Sequence, residues 1–330
     1  MPLVLTTHSL HPDAAAVITA AGALKVASCL DTACLIGEAM DADVIIVRAP
    51  LPAELFGRAP RLRAAIRHGA GIDMIPVAAA TEAGVLVANV PGSNARSVAE
   101  HVILSALALS RRFCHVGQTL ADRGWFAARE YASTTSEISG KTIGLVGMGH
   151  VGGEIYKLAQ AFDMRVLAHK PSPSGIPSGV EYMSLNTLVR TSDFVVLCCP
   201  LTTQTRGLIN GRLLASMKRT AFIINVARGA VVVEEDLLNA LDNDRIAGAA
   251  LDVFSEQPLA VNHPFLDREN VLLTPHMAGI TNESMQRMGL GAAREALRVL
   301  SNRLPQNLIN PEAVSAYRTR FAGEELPALR

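Results

Sequence analysis

"TIGLVGMGHVGGEIYKLAQAF", Thr142 to Phe162, is the stretch on which the fold turns. A short β-type apolar run enters Gly147, Gly149 and Gly152, spaced as GxGxxG, and an apolar pattern of helical period follows at once. The three glycines alone are a weak signal. Placed between a strand and a helix they acquire a mechanism. Glycine permits the tight turn and lets the backbone approach a pyrophosphate. The helix N-terminus then offers that anion unpaired N–H groups and the positive end of its dipole. Gly147, Gly149, His150, Val151 and Gly152 are therefore the expected pyrophosphate cradle. The plainer reading is a glycine turn that only packs a helix on a strand.

Similar units extend in both directions. "LVLTTH", "ADVIIVRAP", "RAAIRHGAG" and "GVLVANV" read as strands before the motif. "MRVLAHK", "DFVVLCCP", "TAFIINVARG", "AGAALDVF" and "NVLLTPH" read as strands after it. Continuous Val/Ile/Leu runs alternating with helical segments predict parallel sheets buried on both faces. There are too many for one ordinary doubly wound sheet, so two α/β units are expected. "NARSVAEHVILSALALSRRFC" (Asn94 to Cys114) reads as a long apolar helix just before the second unit. "TNESMQRMGLGAAREALRVLSNRLPQ" (Thr281 to Gln306) is an amphipathic helix that can carry the chain back to the first.

The 330 residues carry 30 basic and 30 acidic side chains, so no global charge points to nucleic acid or another polyanion. No apolar run approaches the ~20 residues that span a bilayer. The start "MPLVLTTHSL" lacks the basic flank and apolar core of a signal peptide. No membrane partner and a cytoplasmic location are expected. Cys29, Cys34, Cys114, Cys198 and Cys199 show neither CxxC spacing nor a companion His cluster. They read as small apolar fillers in a reducing compartment, with no metal site.

An NAD site normally places Asp or Glu about 20 residues beyond the glycines, where it accepts hydrogen bonds from the ribose 2′-OH. Here "MRVLAHKPSPSG" ends its strand with His169-Lys170 and then Ser172 and Ser174. A carboxylate would repel a 2′-phosphate, whereas an ammonium pairs with it and serine hydroxyls donate to it. NADP(H) is thus the preferred cofactor and NAD(H) the possible one; the alternative for Lys170 is a solvated strand-end lysine. Reduction of a keto acid further needs a cation for the carboxylate and an acid for the developing alkoxide. "INVARGAVV" supplies Arg228 and "LLTPHMAG" supplies His276, both at strand ends where open α/β sheets bind ligands.

With "ALDVFSEQPL", these segments resemble the D-isomer-specific 2-hydroxyacid dehydrogenases. "VANVPGSNARSVAEH", "GKTIGLVGMGHVG", "CCPLTTQTRGLIN", "INVARGAVVVEEDLLNAL" and "LLTPHMAGIT" match in family order from about residue 64 to residue 300. The resemblance implies a Rossmann cofactor domain, residues 98–294, inserted into a flavodoxin-like substrate domain, residues 1–97 and 295–330. It implies that Arg228 binds the substrate carboxylate and carbonyl and that His276 is the acid/base. His68, Gly69, Ala70 and Gly71 match the segment that holds the carboxylate from the substrate domain. Ala227 and Asp252 match positions near the nicotinamide, Cys199, Pro200 and Thr205 match the adenosine side, and Gly279 is a further expected cofactor-binding residue.

One position departs from the family. The glutamate that usually precedes the proline of this segment, and bonds the catalytic histidine, is Gln257 here; Glu256 stands one residue early. A neutral amide orients the ring without adding charge. The same pairing occurs in the formate dehydrogenase branch, which the surrounding loops do not resemble. Trp125, read as lying on a loop, either closes a homodimer interface or packs within its own subunit. His101 and His115 are expected to be structural, and Arg96 either lines the cleft or caps a helix face. The expected partner is a small 2-keto or 2-hydroxy acid such as glyoxylate or hydroxypyruvate. The alternatives are a dinucleotide-sensing protein without catalysis and a phosphoglycerate dehydrogenase-type activity.

Overall fold

The computed structural model describes residues 1–322. Contacts divide the chain into Met1–Asn94 together with the chain from Ile280, and Ala95–Gly279. In the first unit five strands form where apolar side chains can point to both faces: β1 (Leu3–Thr6), β2 (Ala23–Val26), β3 (Val44–Val47), β4 (Ala64–Arg67) and β5 (Leu86–Ala88). All pairings are parallel and the order is β2-β1-β3-β4-β5, the flavodoxin-like arrangement. Strand β2 has no counterpart among the sequence runs. It lies at the sheet edge and its last two residues are exposed, so it needs no continuous apolar stretch.

The division expected at residues 98 and 295 is corrected to 95 and 280. The helix Asn282–Leu300 starts at a reciprocal Thr281/Ser284 cap and belongs to the first unit along its whole length. Ala292, Ala293 and Ala296 share a core with Val4, Ile46 and Ile66. Gly289 is what permits the approach: a Cβ there would lie 2.8 Å from the Ala14 Cβ. Further on, the buried Asn310 accepts from Val87 N at 2.7 Å and donates to Val85 O at 3.0 Å, tying the C-terminal segment to β5.

The second unit is a seven-stranded parallel sheet: β6 (Thr142–Val146), β7 (Arg165–His169), β8 (Glu181–Tyr182), β9 (Phe194–Leu197), β10 (Phe222–Asn225), β11 (Gly248–Leu251) and β12 (Val271–Leu273). Its order, β12-β11-β10-β9-β6-β7-β8, is that of a Rossmann fold, with the reversal between β6 and β9. The two-residue β8 is exposed and escapes an apolar-run reading for the same reason as β2.

The expected helix Asn94–Cys114 is two helices, Ala95–Ser110 and Phe113–Glu130, parted at Arg112, whose φ of 49° is left-handed. Trp125 accordingly sits on a helix, just past a break at Gly124, and not on a loop. The filler reading of the cysteines fits Cys198 and Cys199 alone. Cys114 is exposed, and Cys29 and Cys34 form a disulfide in an exposed turn. Among the described residues no helix is long and apolar enough to cross a membrane.

Candidate active site

The expected site residues of the second unit follow the C-terminal ends of its strands. Along the sheet order they read His276 after β12, Asp252 after β11, Arg228 after β10, Cys199-Pro200 after β9, Gly147–Gly152 after β6 and Lys170 after β7. From β12 to β7 is five strand spacings, about 24 Å at ~4.8 Å each, so the row has the extent of an elongated ligand.

At the reversal the glycines have separable tasks. Gly147 has φ 109°, and a Cβ there would stand 2.8 Å from Cys199 N and 2.9 Å from the Cys198 carbonyl. Gly152 needs its missing Cβ to pass the Gly147 carbonyl at 2.8 Å. Gly149 is different: nothing lies within 4 Å of its missing Cβ. It is the N-cap of the helix His150–Ala161 and no side chain caps that end. The first-turn N–H groups of His150, Val151 and Gly152 therefore have no side-chain cap, and the residue before them carries no side chain. A dinucleotide pyrophosphate fits that cradle. The thiol of Cys198 donates to the Gly147 carbonyl at 3.1 Å, and burial pushes its pKa far up, so it is a neutral brace. Thr205, expected on the adenosine side, uses its hydroxyl within its own loop: it donates to Pro200 O and accepts from Thr202 N, both at 2.7 Å.

Beyond β7, the Lys170 ammonium donates to Ser174 O at 2.8 Å, and the Ser172 and Ser174 hydroxyls stand 3.0 Å apart. These three polar groups form one small exposed cluster. His169 is held outside it, with Nδ1 3.1 Å from Met183 O and its ring stacked on Tyr182. The nearby carboxylate on β8, Glu181, is paired bidentately with Arg165 at 2.7 Å.

At the opposite end of the row, Gly229 brings two loops together. A Cβ at Gly229 would coincide with the Phe254 carbonyl group, so only glycine lets the turn after β10 seat on the turn after β11. Arg228 precedes it, its Nη1 donating to Ala227 O at 2.7 Å, while Asn225 braces the turn through Arg228 O and Ala227 N. The Phe254 carbonyl also accepts from Gln257 Nε2 at 3.4 Å, which points Oε1 at His276 Nδ1, 2.9 Å away. An amide oxygen only accepts, so Nδ1 carries the hydrogen in this pairing.

His276 itself is in the left-handed region at φ 54°, a strained conformation fixed by Asp252. The His276 N–H donates to Asp252 O at 2.8 Å. The buried carboxylate of Asp252 accepts from Met277 N (2.8 Å), Ala278 N (2.9 Å) and Thr274 Oγ1 (2.7 Å). Asp252, expected beside the nicotinamide, thus acts on the histidine loop. Thr274, which escaped the sequence reading, and His101, expected to be structural, complete this anchor. With the Thr274 hydroxyl donated to Asp252, its lone pair receives His101 Nε2 at 3.3 Å, and burial lowers the His101 pKa against the opposing pull of Asp252. A buried aspartate after "GAAL" demands partners, and that was the available signal. Arg96 is an ion-pair residue, 2.7 Å from Glu100 and 3.8 Å from Glu154, and His115 faces Glu269 at 3.4 Å.

In the first unit, the segment His68–Gly71 is anchored by its carbonyls. Arg67 donates to His68 O at 2.7 Å and to Gly71 O at 3.0 Å, Val90 N to Gly69 O at 2.8 Å, and Asn89 to Ala70 O at 2.7 Å. The N–H groups of Ala70 and Gly71 have no partner among the described residues. His68 is buried, and that burial together with Arg48 and Arg67 pushes its pKa down to about 4. It is neutral at pH 7, so its side chain brings no positive charge to this segment.

A model of the D-isomer specific 2-hydroxyacid dehydrogenase NAD-binding domain matches residues 103–278. The chain is 38% identical over 279 residues to the glyoxylate reductase of Thermofilum pendens, covering 83% of this chain and 82% of that one. It is 35% identical over 316 residues to the D-3-phosphoglycerate dehydrogenase of Methanocaldococcus jannaschii, covering 94% of this chain and 60% of that longer protein. A solved structure of the NADPH-dependent glyoxylate/hydroxypyruvate reductase from Sinorhizobium meliloti, in complex with NADP and malonate, superposes with a TM-score of 0.83. The identity is 27%, over 94% of this chain and 97% of that one.

Proposed function

The chain belongs to the D-isomer specific 2-hydroxyacid dehydrogenase family, and from that premise we propose that it reduces glyoxylate, hydroxypyruvate or a 2-keto acid of similar size, with NADPH as the preferred reductant. That it is an NAD(P)-dependent oxidoreductase follows from the family; the substrate, the cofactor preference and the residue roles are the proposal. One observation carries it: the Phe254 carbonyl packs against Gly229 and orients Gln257, so that the arginine turn and the histidine loop meet at a single point.

When bound, the nicotinamide dinucleotide supplies the hydride; Gly147–Gly152 would hold its pyrophosphate, and Lys170, Ser172 and Ser174 its 2′-phosphate. The remaining chemistry belongs to side chains. Arg228 grips the carboxylate and polarises the carbonyl oxygen. Protonated His276 delivers its Nε2 proton to the oxygen as alkoxide character develops. Gln257 fixes the ring, and Asp252 fixes the backbone beneath it.

The test is a panel of keto acids assayed with NADPH and NADH in parallel. Turnover of glyoxylate or hydroxypyruvate, faster with NADPH, is the expected result. Dinucleotide binding without turnover would favour a sensing role instead. Lys170→Asp is expected to lower the NADPH:NADH ratio of kcat/KM by about 10- to 100-fold, by exchanging attraction for repulsion at the 2′-phosphate. An unchanged ratio would remove Lys170 from the argument.

Gln257 gives a signed pH prediction. Reduction needs the imidazolium, so the rate falls as pH rises through the His276 pKa. In Gln257→Glu a carboxylate 2.9 Å from Nδ1 stabilises that cation. The falling limb of kcat/KM should move up by about 1 pH unit or more. A profile that stays in place would contradict the pairing.

The proposed assembly is a homodimer. The helix Phe113–Glu130 exposes Phe113 at 73%, Trp125 at 63% and Phe126 at 84%, an apolar face that a second copy would cover.

A further inference from the structure

The second unit holds a cavity of about 600 Å³ that has no part in the proposed reaction. It opens at the opposite edge of the sheet. Its wall includes Phe194 and Phe222, the first residues of β9 and β10, and Lys141 and Ala247, which immediately precede β6 and β11. The expected cofactor and catalytic residues all follow the strands' other ends. A four-residue strand spans about 13 Å, so a molecule in this cavity is separate from one in the glycine cradle. The volume is within the ordinary range for a small-molecule site.

Two features give the cavity a chemical preference. The first is unbalanced charge. Asp193 is neutralised internally, accepting from Lys218 Nζ and from Thr142 N at 2.8 Å each, which leaves Glu269, 3.4 Å from His115, as the one remaining carboxylate of the lining. Lys141 and Arg219 also line the cavity, and among the described residues neither has a carboxylate partner. Arg112 lies over the Tyr131 ring at 5.4 Å and is likewise without an anion. The second feature is unmet hydrogen bonding. Ser110, 4% exposed, lines the cavity with a hydroxyl that has no protein partner, and the buried Nε2 of His115 has none either. Buried polar atoms are normally paired, so two orphans on one wall point to a bound partner. The Phe194 and Phe222 rings, stacked on each other with centroids 5.7 Å apart, belong to its apolar wall.

We propose that this cavity is a second ligand site, for an organic anion with a phosphate or carboxylate carried on a planar apolar body. Lys141 and Arg219 meet the charge, Ser110 and His115 meet the remaining polar atoms, and the apolar wall that includes Phe222 and Leu272 packs against the ring. Such a ligand occupies the enzyme together with the dinucleotide and not in competition with it.

The experiment is calorimetric titration of the purified full chain, saturated with NADP and malonate, using phenyl phosphate, benzoate and the neutral benzamide. Millimolar or tighter binding of an anionic probe is expected, weakening as salt rises. A preference for phenyl phosphate would identify the group as phosphate, and one for benzoate as carboxylate. Lys141→Ala and Arg219→Ala, both remote from the proposed machinery, should each weaken binding about tenfold. Ser110→Ala should weaken it several-fold with the fold intact by circular dichroism. Absence of binding, equal binding of benzamide, indifference to both cation variants, or competition with NADP would each overturn the proposal. A second copy of the chain filling the cavity would register as absence of binding.

Discussion

His276→Gln is expected to lower kcat for glyoxylate reduction with NADPH by about 10³-fold while leaving NADPH affinity within about twofold. The expectation rests on the division of labour around the ring. Gln257 takes Nδ1, and Asp252 takes the backbone N–H groups of Met277 and Ala278, so the loop is anchored by groups other than the imidazole's outer edge. Glutamine preserves bulk and polarity but has no proton to release near neutral pH. The fold and the cradle after β6 are untouched. Stopped-flow turnover and fluorescence titration of NADPH separate the two quantities. A loss below tenfold would show that another group delivers the proton. A collapse of NADPH binding would mean that the substitution had disturbed the loop and not the chemistry. A protein that only sensed the dinucleotide would show no such split, because there would be no rate to lose.

The same residues explain why some of the site is legible in the amino-acid sequence and some is not. The glycine turn was readable because each of its constraints is local: strand, tight turn, helix and open space at Gly149 all lie within one short stretch. Arg228 and His276 were readable by resemblance and by their places after apolar runs. The strand edges β2 and β8 were not, since an exposed strand has no need of the apolar pattern that reveals a buried one. Nor was the anchor beneath the histidine. Asp252, Thr274 and His101 are far apart in sequence, and their relation depends on the parallel pairing of β11 with β12 and on the helix Ala95–Ser110. The break at Arg112 was hidden for a different reason: an arginine in a left-handed conformation leaves no compositional mark, as a glycine would have done. The return of the C-terminal helix was visible as a pattern, but its boundary was set by contacts such as Gly289 on Ala14 that no periodicity encodes.

Arg228→Ala should be the more damaging change, lowering kcat/KM by about 10⁴-fold, with KM raised about 10- to 100-fold and kcat lowered about 10²- to 10³-fold. Two interactions are lost at once. The carboxylate loses a charge-assisted bidentate partner in the ground state, and the carbonyl oxygen loses a donor whose value grows as negative charge develops. Arg228→Lys should recover part of KM but little of kcat, because a point charge can attract the carboxylate without presenting a planar fork to both groups. Stability should change little. The turn is held by the Gly229 contact with Phe254 and by Asn225 on Arg228 O and Ala227 N, to which the guanidinium adds a local bond to Ala227 O. Guanidinium added to the alanine variant should restore measurable turnover. If Arg228→Ala changed KM alone, the arginine would bind substrate without stabilising the transition state, and polarisation of the carbonyl would have to be reassigned to His276.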